Sequence, residues 1–287
     1  MTINKEWFIE KIQTFLAENA ANKMVGVDGS PFYRQDILLG IVSGDDQIFE
    51  EYKSEIIGSF HMTPREAVEI YCKKKKLDVP QGNLSVIAYI LPFNQDTRKE
   101  NLEYSKEWPS VRWAHTRLYG EKCNVAIQQH IIDELEKEGI FALAPMMHSF
   151  MWKILKKHEK GVWASKWSHR HMCFAAGLGS FGLSDGFMNE KGVAMRCGSL
   201  IVALELPSDA DKRPSDPYAL CSKCGTCIKR CPVGAIAFDT GHDKQRCSEM
   251  VMSTIPYIKD NYNIPIYSCG LCQVGVPCQD GLPVNKK

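Results

Sequence analysis

The stretch that decides the reading of this chain is CSKCGTCIKRCP, residues 221–232. Cys221, Cys224, Cys227 and Cys231 follow the spacing C-x2-C-x2-C-x3-C-P, which holds iron–sulfur cubes. Three thiolates two residues apart wrap one cube corner by corner. The fourth, Cys231, is offset by three residues, is followed by Pro232, and belongs to a neighbouring cluster in two-cluster proteins. A partner set is therefore required, and QRCSEM and SCGLCQVGVPC supply Cys247, Cys269, Cys272 and Cys278. The exchange rule assigns Cys221, Cys224, Cys227 and Cys278 to one [4Fe–4S] cluster, and Cys231, Cys247, Cys269 and Cys272 to the other. The second set departs in its last spacing, five residues with Pro277 before the cysteine. Zinc is the alternative, since CxxC pairs also build tetrahedral zinc sites. Zinc has no use for the third cysteine or the offset fourth.

Working outward, the other cysteines are Cys72, Cys123, Cys173 and Cys197. They fall in predicted helices and strands and read as small buried hydrophobes. The N-terminal MTINKEWFIEKIQTF is amphipathic and lacks a signal-peptide core, and no apolar run reaches membrane-spanning length. The expectation is a cytoplasmic protein of a reducing, anaerobic setting with no membrane partner. Thirty-five basic against 34 acidic residues leave a net charge of +1. That balance argues against a protein held mainly by phosphates, so nucleic acid is not an expected partner.

Upstream, Asn4 caps a helix over residues 4–20 with Phe8, Ile12, Phe15 and Leu16 on one face. Residues 25–61 read as irregular, with glycines at 26, 29, 40 and 44. Thr63, Pro64 and Glu66 form a helix start with a capping box, and Lys73–Lys76 suit that helix's C-terminus. LSVIAYIL, residues 84–91, reads as a strand. Residues 118–138 predict a helix stopped by Gly139, residues 140–144 a strand, and residues 148–158 and 166–176 further helices. Phe187–Met188 and Val193–Leu206 read as a hairpin around Asn189–Gly192. A proline-rich stretch from Leu206 then leads into the cysteines. The expected fold class is α/β (α+β), with one domain over residues 1–206 and a small ferredoxin-like dicluster domain over residues 207–287.

GLGSFG, residues 177–182, matches G-x-G-x-x-G, but it follows a helix and leads into strands. That is the wrong setting for a dinucleotide, and a tight turn needing φ > 0 is the plain reading. AAGLGSFG, GFMNEKG, GSLIVALELP, the cysteine run, QRC and CGLCQ occur in this order. VGVDGSPF, GNLSVIAYILPF and the segment Arg117–Asn124 extend the pattern upstream. The series resembles the epoxyqueuosine reductases and their relatives, the reductive dehalogenases. The resemblance implies a nitroreductase-like front domain carrying base-off cobalamin (a cobamide) beside two [4Fe–4S] clusters. Electrons would come from a ferredoxin- or flavodoxin-type donor and pass through the clusters to cobalt. It implies that Gly177, Leu178, Gly179, Ser180 and Gly182 approach the corrinoid with bare backbone, with Arg170 as a further cofactor-binding residue.

Where epoxyqueuosine reductases carry a proton-donating aspartate before this turn, this chain has Trp163, and VWASKWSHRH (162–171) holds no carboxylate. With that departure, and without the helical repeats that follow the clusters in those enzymes, the resemblance points to a small-molecule substrate. A true tRNA epoxyqueuosine reductase, a non-catalytic carrier reducing a partner corrinoid protein, and a flavin-holding version are the alternatives. For proton delivery the candidates are His169, His171 and Tyr119. Trp163 and Trp167 are candidates for a pocket wall, or for plain core.

Overall fold

The computed structural model describes residues 2–283. Its centre is strand β2 (Ser85–Pro92), every residue of which is buried. Alternation explains how. Ile87, Tyr89 and Leu91 enter one apolar core, whereas Val86, Ala88 and Ile90 enter another on the opposite face. A strand covered on both faces needs an unbroken apolar run, which is what residues 84–91 are. The sheet order is β1 (Leu38–Ser43), β2, β8 (Met195–Val202), β3 (Ala142–Leu143), and every pair is antiparallel. The chain therefore mixes helices with an antiparallel sheet, the α+β half of the expectation.

Helices α1 (Lys5–Glu18) and α6 (Glu121–Lys137) cover the first face with Phe8, Ile12, Ile127, Ile131 and Leu135. Helices α2 (Ile48–Glu51), α3 (Pro64–Lys75) and α7 (His169–Ala175) cover the second with Phe49, Val68, Met172 and Phe174. The caps are those read from the sequence. Asn4 accepts from the Trp7 N–H, and Thr63 and Glu66 exchange both bonds of a capping box. Helices α4 (Gln95–Glu103) and α5 (Val111–His115) lead through a π-type turn, Thr116–Gly120, into α6. Cys72, Cys123, Cys173 and Cys197 are all buried.

Three stretches differ from expectation. Residues 25–61 contain β1 and α2, because Ile41 and Val42 find a fully apolar partner in β2. Residues 148–158 are not a helix. Ile154–His158 (β4) pairs with Gly161–Ser165 (β5) in a hairpin turning at Glu159 and Lys160. Finally, β7 (Phe187–Met188) pairs with β6 (Ser180–Phe181), while β8 leaves to lie beside β2. The burial of β8 from Cys197 to Val202 rewards that central position over a local hairpin.

The cysteine-bearing segment adds α8 (Thr226–Arg230), the small ladder β9 (Ile236–Ala237) with β10 (Gly241–His242), and α9 (Lys244–Tyr262). It is tied to the rest by specific bonds. The Val193 N–H donates to the Cys278 carbonyl at 2.8 Å, Asn101 Nδ2 to the Cys269 carbonyl at 3.3 Å, and the Tyr262 hydroxyl to the Pro109 carbonyl at 2.8 Å. Among the described residues, no helix is long and apolar enough to cross a membrane.

Candidate functional site

The cysteine run owes its shape to local backbone. Lys223 and Gly225 take positive φ, +50° and +73°, which curls the chain around Cys224 and starts α8. One helical turn carries the chain from Cys227 to Cys231, whose sulfur accepts from the Ala235 N–H at 3.2 Å. Cys221, Cys224, Cys227 and Cys278 line one small cavity of 30 Å³, together with Gly182 and Val193. Cys272 is surrounded by Cys269, Cys247, Cys231 and Cys227. Four thiols thus share one small cavity, and Cys231, Cys247, Cys269 and Cys272 lie near enough to act on one another's charge.

Burial pushes Cys269 up to about 11, Cys278 up to about 12 and Cys272 well above an ordinary thiol. Neighbouring thiols add to the rise in each case. Metal-free, these groups keep their protons, and a cation must displace them. The donor set, all sulfur and half-buried except for exposed Cys224, fits an iron–sulfur core. Among the described residues no three His, Cys, Asp or Glu side chains converge as a single ion requires. A zinc would draw four sulfurs to about 2.3 Å from one point, whereas a cube takes them at separate corners.

A larger cavity of 620 Å³ lies against both the sheet side and the cysteine segment. Arg117, Glu121 and Gln128 come from α6 and the turn before it, Arg196 from β8, His169 and Arg170 from α7. Trp152 and Trp163 come from the β4–β5 hairpin and its approach, and Tyr267 and Gln273 flank Cys269 and Cys272. Val193 belongs to both cavities, so the first thiol group also adjoins the large one.

The electrostatics are organised. Burial alone would raise the Glu121 carboxyl, but Arg196, then His169 and Arg117, hold it below the usual range. Arg196 Nε stands 3.2 Å from Glu121 Oε2. Arg117 donates to the Tyr267 hydroxyl at 2.8 Å with its guanidinium 4.8 Å over that ring. His169 Nδ1 is 2.7 Å from Ser199 Oγ, which also accepts from Trp167 Nε1 at 3.0 Å. The Gln128 amide nitrogen, 3.4 Å from His169 Nε2, can only donate, so Nε2 accepts and the ring proton of neutral His169 sits on Nδ1, given to the second lone pair of Ser199 Oγ. Burial lowers His169 to about 4, so it is neutral at pH 7. Four buried polar atoms on the cavity's lining residues make no hydrogen bond among the described residues: Gln128 Oε1, Trp152 Nε1, Trp163 Nε1 and Arg196 Nε, the last ion-paired with Glu121. Buried polar atoms are normally satisfied, so the first three call for a bound group or water.

The other sequence candidates lie elsewhere. The His171 ring is held between Tyr52 and Phe181, with centroids 5.1 and 5.0 Å away, and does not line the cavity. Tyr119 is 36% exposed, beside His115 and under Lys122. Gly177, Leu178, Gly179 and Ser180 do not line it either. Their turn is pressed against protein. Gly177 has φ +69° and a Cβ there would meet the Asp209 carbonyl at 2.8 Å, while one on Gly179 would meet the Met188 carbonyl at 2.0 Å. Ser180 Oγ accepts from the Leu220 N–H at 3.1 Å, and Gly182 lines the small thiol cavity. Glu121, Gln128, Arg117, Arg196 and Trp152 were not singled out from sequence. A signal existed in Arg117–Asn124. Arg117, Glu121, Val125 and Gln128 recur at helical spacing and share a face, which Tyr119 does not.

Residues 217–237, which contain the first four cysteines, match the 4Fe-4S binding domain family. Over 226 residues, 72% of this chain, the sequence is 32% identical to an epoxyqueuosine reductase of Francisella cf. novicida. The chain is similar to the epoxyqueuosine reductases over that stretch. A second relative of that name, from Staphylococcus aureus, is 29% identical over 121 residues, 40% of this chain. The aligned regions take in 56% and 30% of those two proteins, so the chain spans about half or less of each. Among solved structures, a catabolic reductive dehalogenase complexed with 3-bromo-4-hydroxybenzoic acid superposes with a TM-score of 0.53. That match has 16% identity and covers 86% of this chain and 30% of the other, a likeness of fold.

Proposed function

We propose that this protein is an iron–sulfur oxidoreductase that passes single electrons through two [4Fe–4S] clusters to a corrinoid in the 620 Å³ cavity, and on to a small-molecule substrate. On this reading residues 1–206 are a nitroreductase-like, cobamide-binding domain, and residues 207–287 are the dicluster domain. A reducing cytoplasm suits its thiolates, and a ferredoxin- or flavodoxin-type protein is the donor. The observation that carries the reading is the cavity itself. Residues flanking Cys269 and Cys272 form one wall, and the aromatic side chains of Trp152 and Trp163 form another.

The residues fit a corrinoid. Partly exposed Trp152, Trp163 and Tyr267 offer flat apolar surface to such a ring, and Arg117 and Arg170 offer donors to its amide arms. When bound, that group supplies a strongly reducing cobalt centre; the chain supplies placement and protons. Glu121, ionised between Arg196 and Arg117, fixes those cations at the cavity wall and is no proton donor. His169, the one sequence-chosen imidazole at the cavity, keeps its own proton on Nδ1 and offers the Nε2 lone pair beside Gln128 to take up a proton and pass it on. Ser199 and Trp167 fix its orientation. It stands in for the carboxylate absent from residues 162–171.

The test is anaerobic purification with iron, sulfide and cobalt measured on one sample, followed by titration with cobalamin. About eight irons per chain and a base-off absorption spectrum are expected. Arg170→Leu should weaken corrinoid binding about tenfold, as the loss of a hydrogen bond from a charged group does. Absence of corrinoid binding with intact clusters would leave only an electron carrier.

A further inference from the structure

We propose that the face around Cys224 and Phe238 is where a small acidic one-electron carrier docks and hands over its electron. The inference rests on the two-cluster reading. It goes further by naming where electrons come in and what kind of surface delivers them.

Of the eight cysteines in the two groups, Cys224 alone is exposed. Next to it lies an aromatic side chain with no structural duty of its own. Phe238 is 64% exposed, and its ring rests on Gly225, where a Cβ would stand 2.6 Å from Cζ. An exposed phenylalanine laid over the loop that holds an exposed thiolate is an unusual use of apolar surface. Tyr218, 45% exposed, borders the same loop, its carbonyl accepting from the Cys221 N–H.

Charge identifies the visitor. From Pro217 to Ala237 the chain has Lys223, Lys229 and Arg230 and no carboxylate, although the whole protein is nearly neutral. Lys223 and Lys229 are exposed, while Arg230 turns inward to the Leu271 carbonyl. Arg246 adds a third outward cation, anchored on the Val233 and Gly234 carbonyls. Carboxylates stand at the edges, at Asp216 and Asp239 and, beside Arg246, at Asp243. A compact cationic surface with an apolar centre over a redox thiolate suits a brief encounter with an acidic partner, steered by charge and small in area. The exchange is one electron: the carrier's reduced flavin or cluster loses it, and one cube goes from the 2+ to the 1+ state.

The experiment uses the full chain with reconstituted clusters, mixed anaerobically with reduced flavodoxin while cluster absorbance is followed. Dithionite serves as a reductant that needs no docking. Wild-type reduction by flavodoxin should slow as salt rises. Phe238→Ser combined with Lys229→Glu should slow it about tenfold or more and flatten the salt dependence, with the dithionite rate unchanged. If Phe238→Ser loses iron, Lys229→Glu and Lys229→Gln alone decide the matter through the same salt series. Variants that accept electrons from flavodoxin within twofold of wild type, clusters intact, overturn the docking face. Wild-type protein whose absorbance dithionite does not bleach overturns instead the two-cluster reading beneath it.

Discussion

The sheet-bearing part and the cysteine-bearing part are held together by different physics. In the first, β2 is sealed between two apolar layers, and Phe8, Ile12, Ile127 and Ile131 on one side face Phe49, Val68 and Met172 on the other. In the second, buried apolar side chains are few and scattered: Ile236, Ile258, Ile264, Leu271, Val274 and Val276 are the larger ones among residues 207–283. Partly buried Cys221, Cys227 and Cys278 pack on a small cluster of Met188, Val193 and Val276. One part is stable by burial. The other takes its stability from what its sulfurs hold, as small metal domains do.

The sharpest way to break this contrast is Cys272→Ser. Iron should fall from about eight to about four per chain, and α9 should become susceptible to protease. The sheet should keep its thermal transition. Full iron content in that variant would remove Cys272 from the second cluster. Next comes Trp167→Ala, on the other side of the comparison. Trp167 is fully buried and hydrogen-bonded to Ser199, so the loss should be about 3–5 kcal/mol in denaturant unfolding. Iron content at low temperature should hardly change.

A smaller effect separates the parts by pH. His61 is buried with neither ring nitrogen hydrogen-bonded, and burial lowers it to about 4. His169 behaves alike. In the unfolded chain both take up protons near 6.5. Between 6.5 and 4 the unfolded state binds more protons, so stability is full above that window and declines as pH falls through it. His61→Leu should recover on the order of 1–2 kcal/mol of the decline at pH 4. A wild-type slope identical to the variant's would mean that His61 charges freely in the folded protein. Smallest is Thr63→Ala, which removes one side of the capping box of α3 and should cost about 1 kcal/mol, with no effect on clusters.

How much of this was legible in sequence follows the same division. The cysteines announced themselves because cluster ligands are set by spacing along the chain. The α1 and α3 caps and β2 were legible because each depends on adjacent residues. β1 was hidden because Gly40 interrupts it, Gly44 ends it and its partner is far away in sequence. Residues 148–158 carry apolar residues at spacings that suit a helix, and only pairing with Gly161–Ser165 makes a hairpin of Ile154–His158. The large cavity was the least legible feature. Arg117, His169, Arg196 and Tyr267 come from separate elements and meet only in the folded chain. The glycine turn was read as a cofactor surface through the family resemblance, whereas its residues alone read as a tight turn. The approaching backbone is the protein's own, from Asp209 and Met188.

The bond from Val193 to the Cys278 carbonyl, and the cavity that Cys278 shares with Cys221, bear on biogenesis. A ribosome delivers Cys221, Cys224 and Cys227 long before it delivers Cys278. The front sheet can close while those three thiols still wait for their fourth neighbour. Cofactor loading on that side is therefore a late event in the nascent chain's life, and the cell's assembly machinery must meet a polypeptide whose other half is already folded.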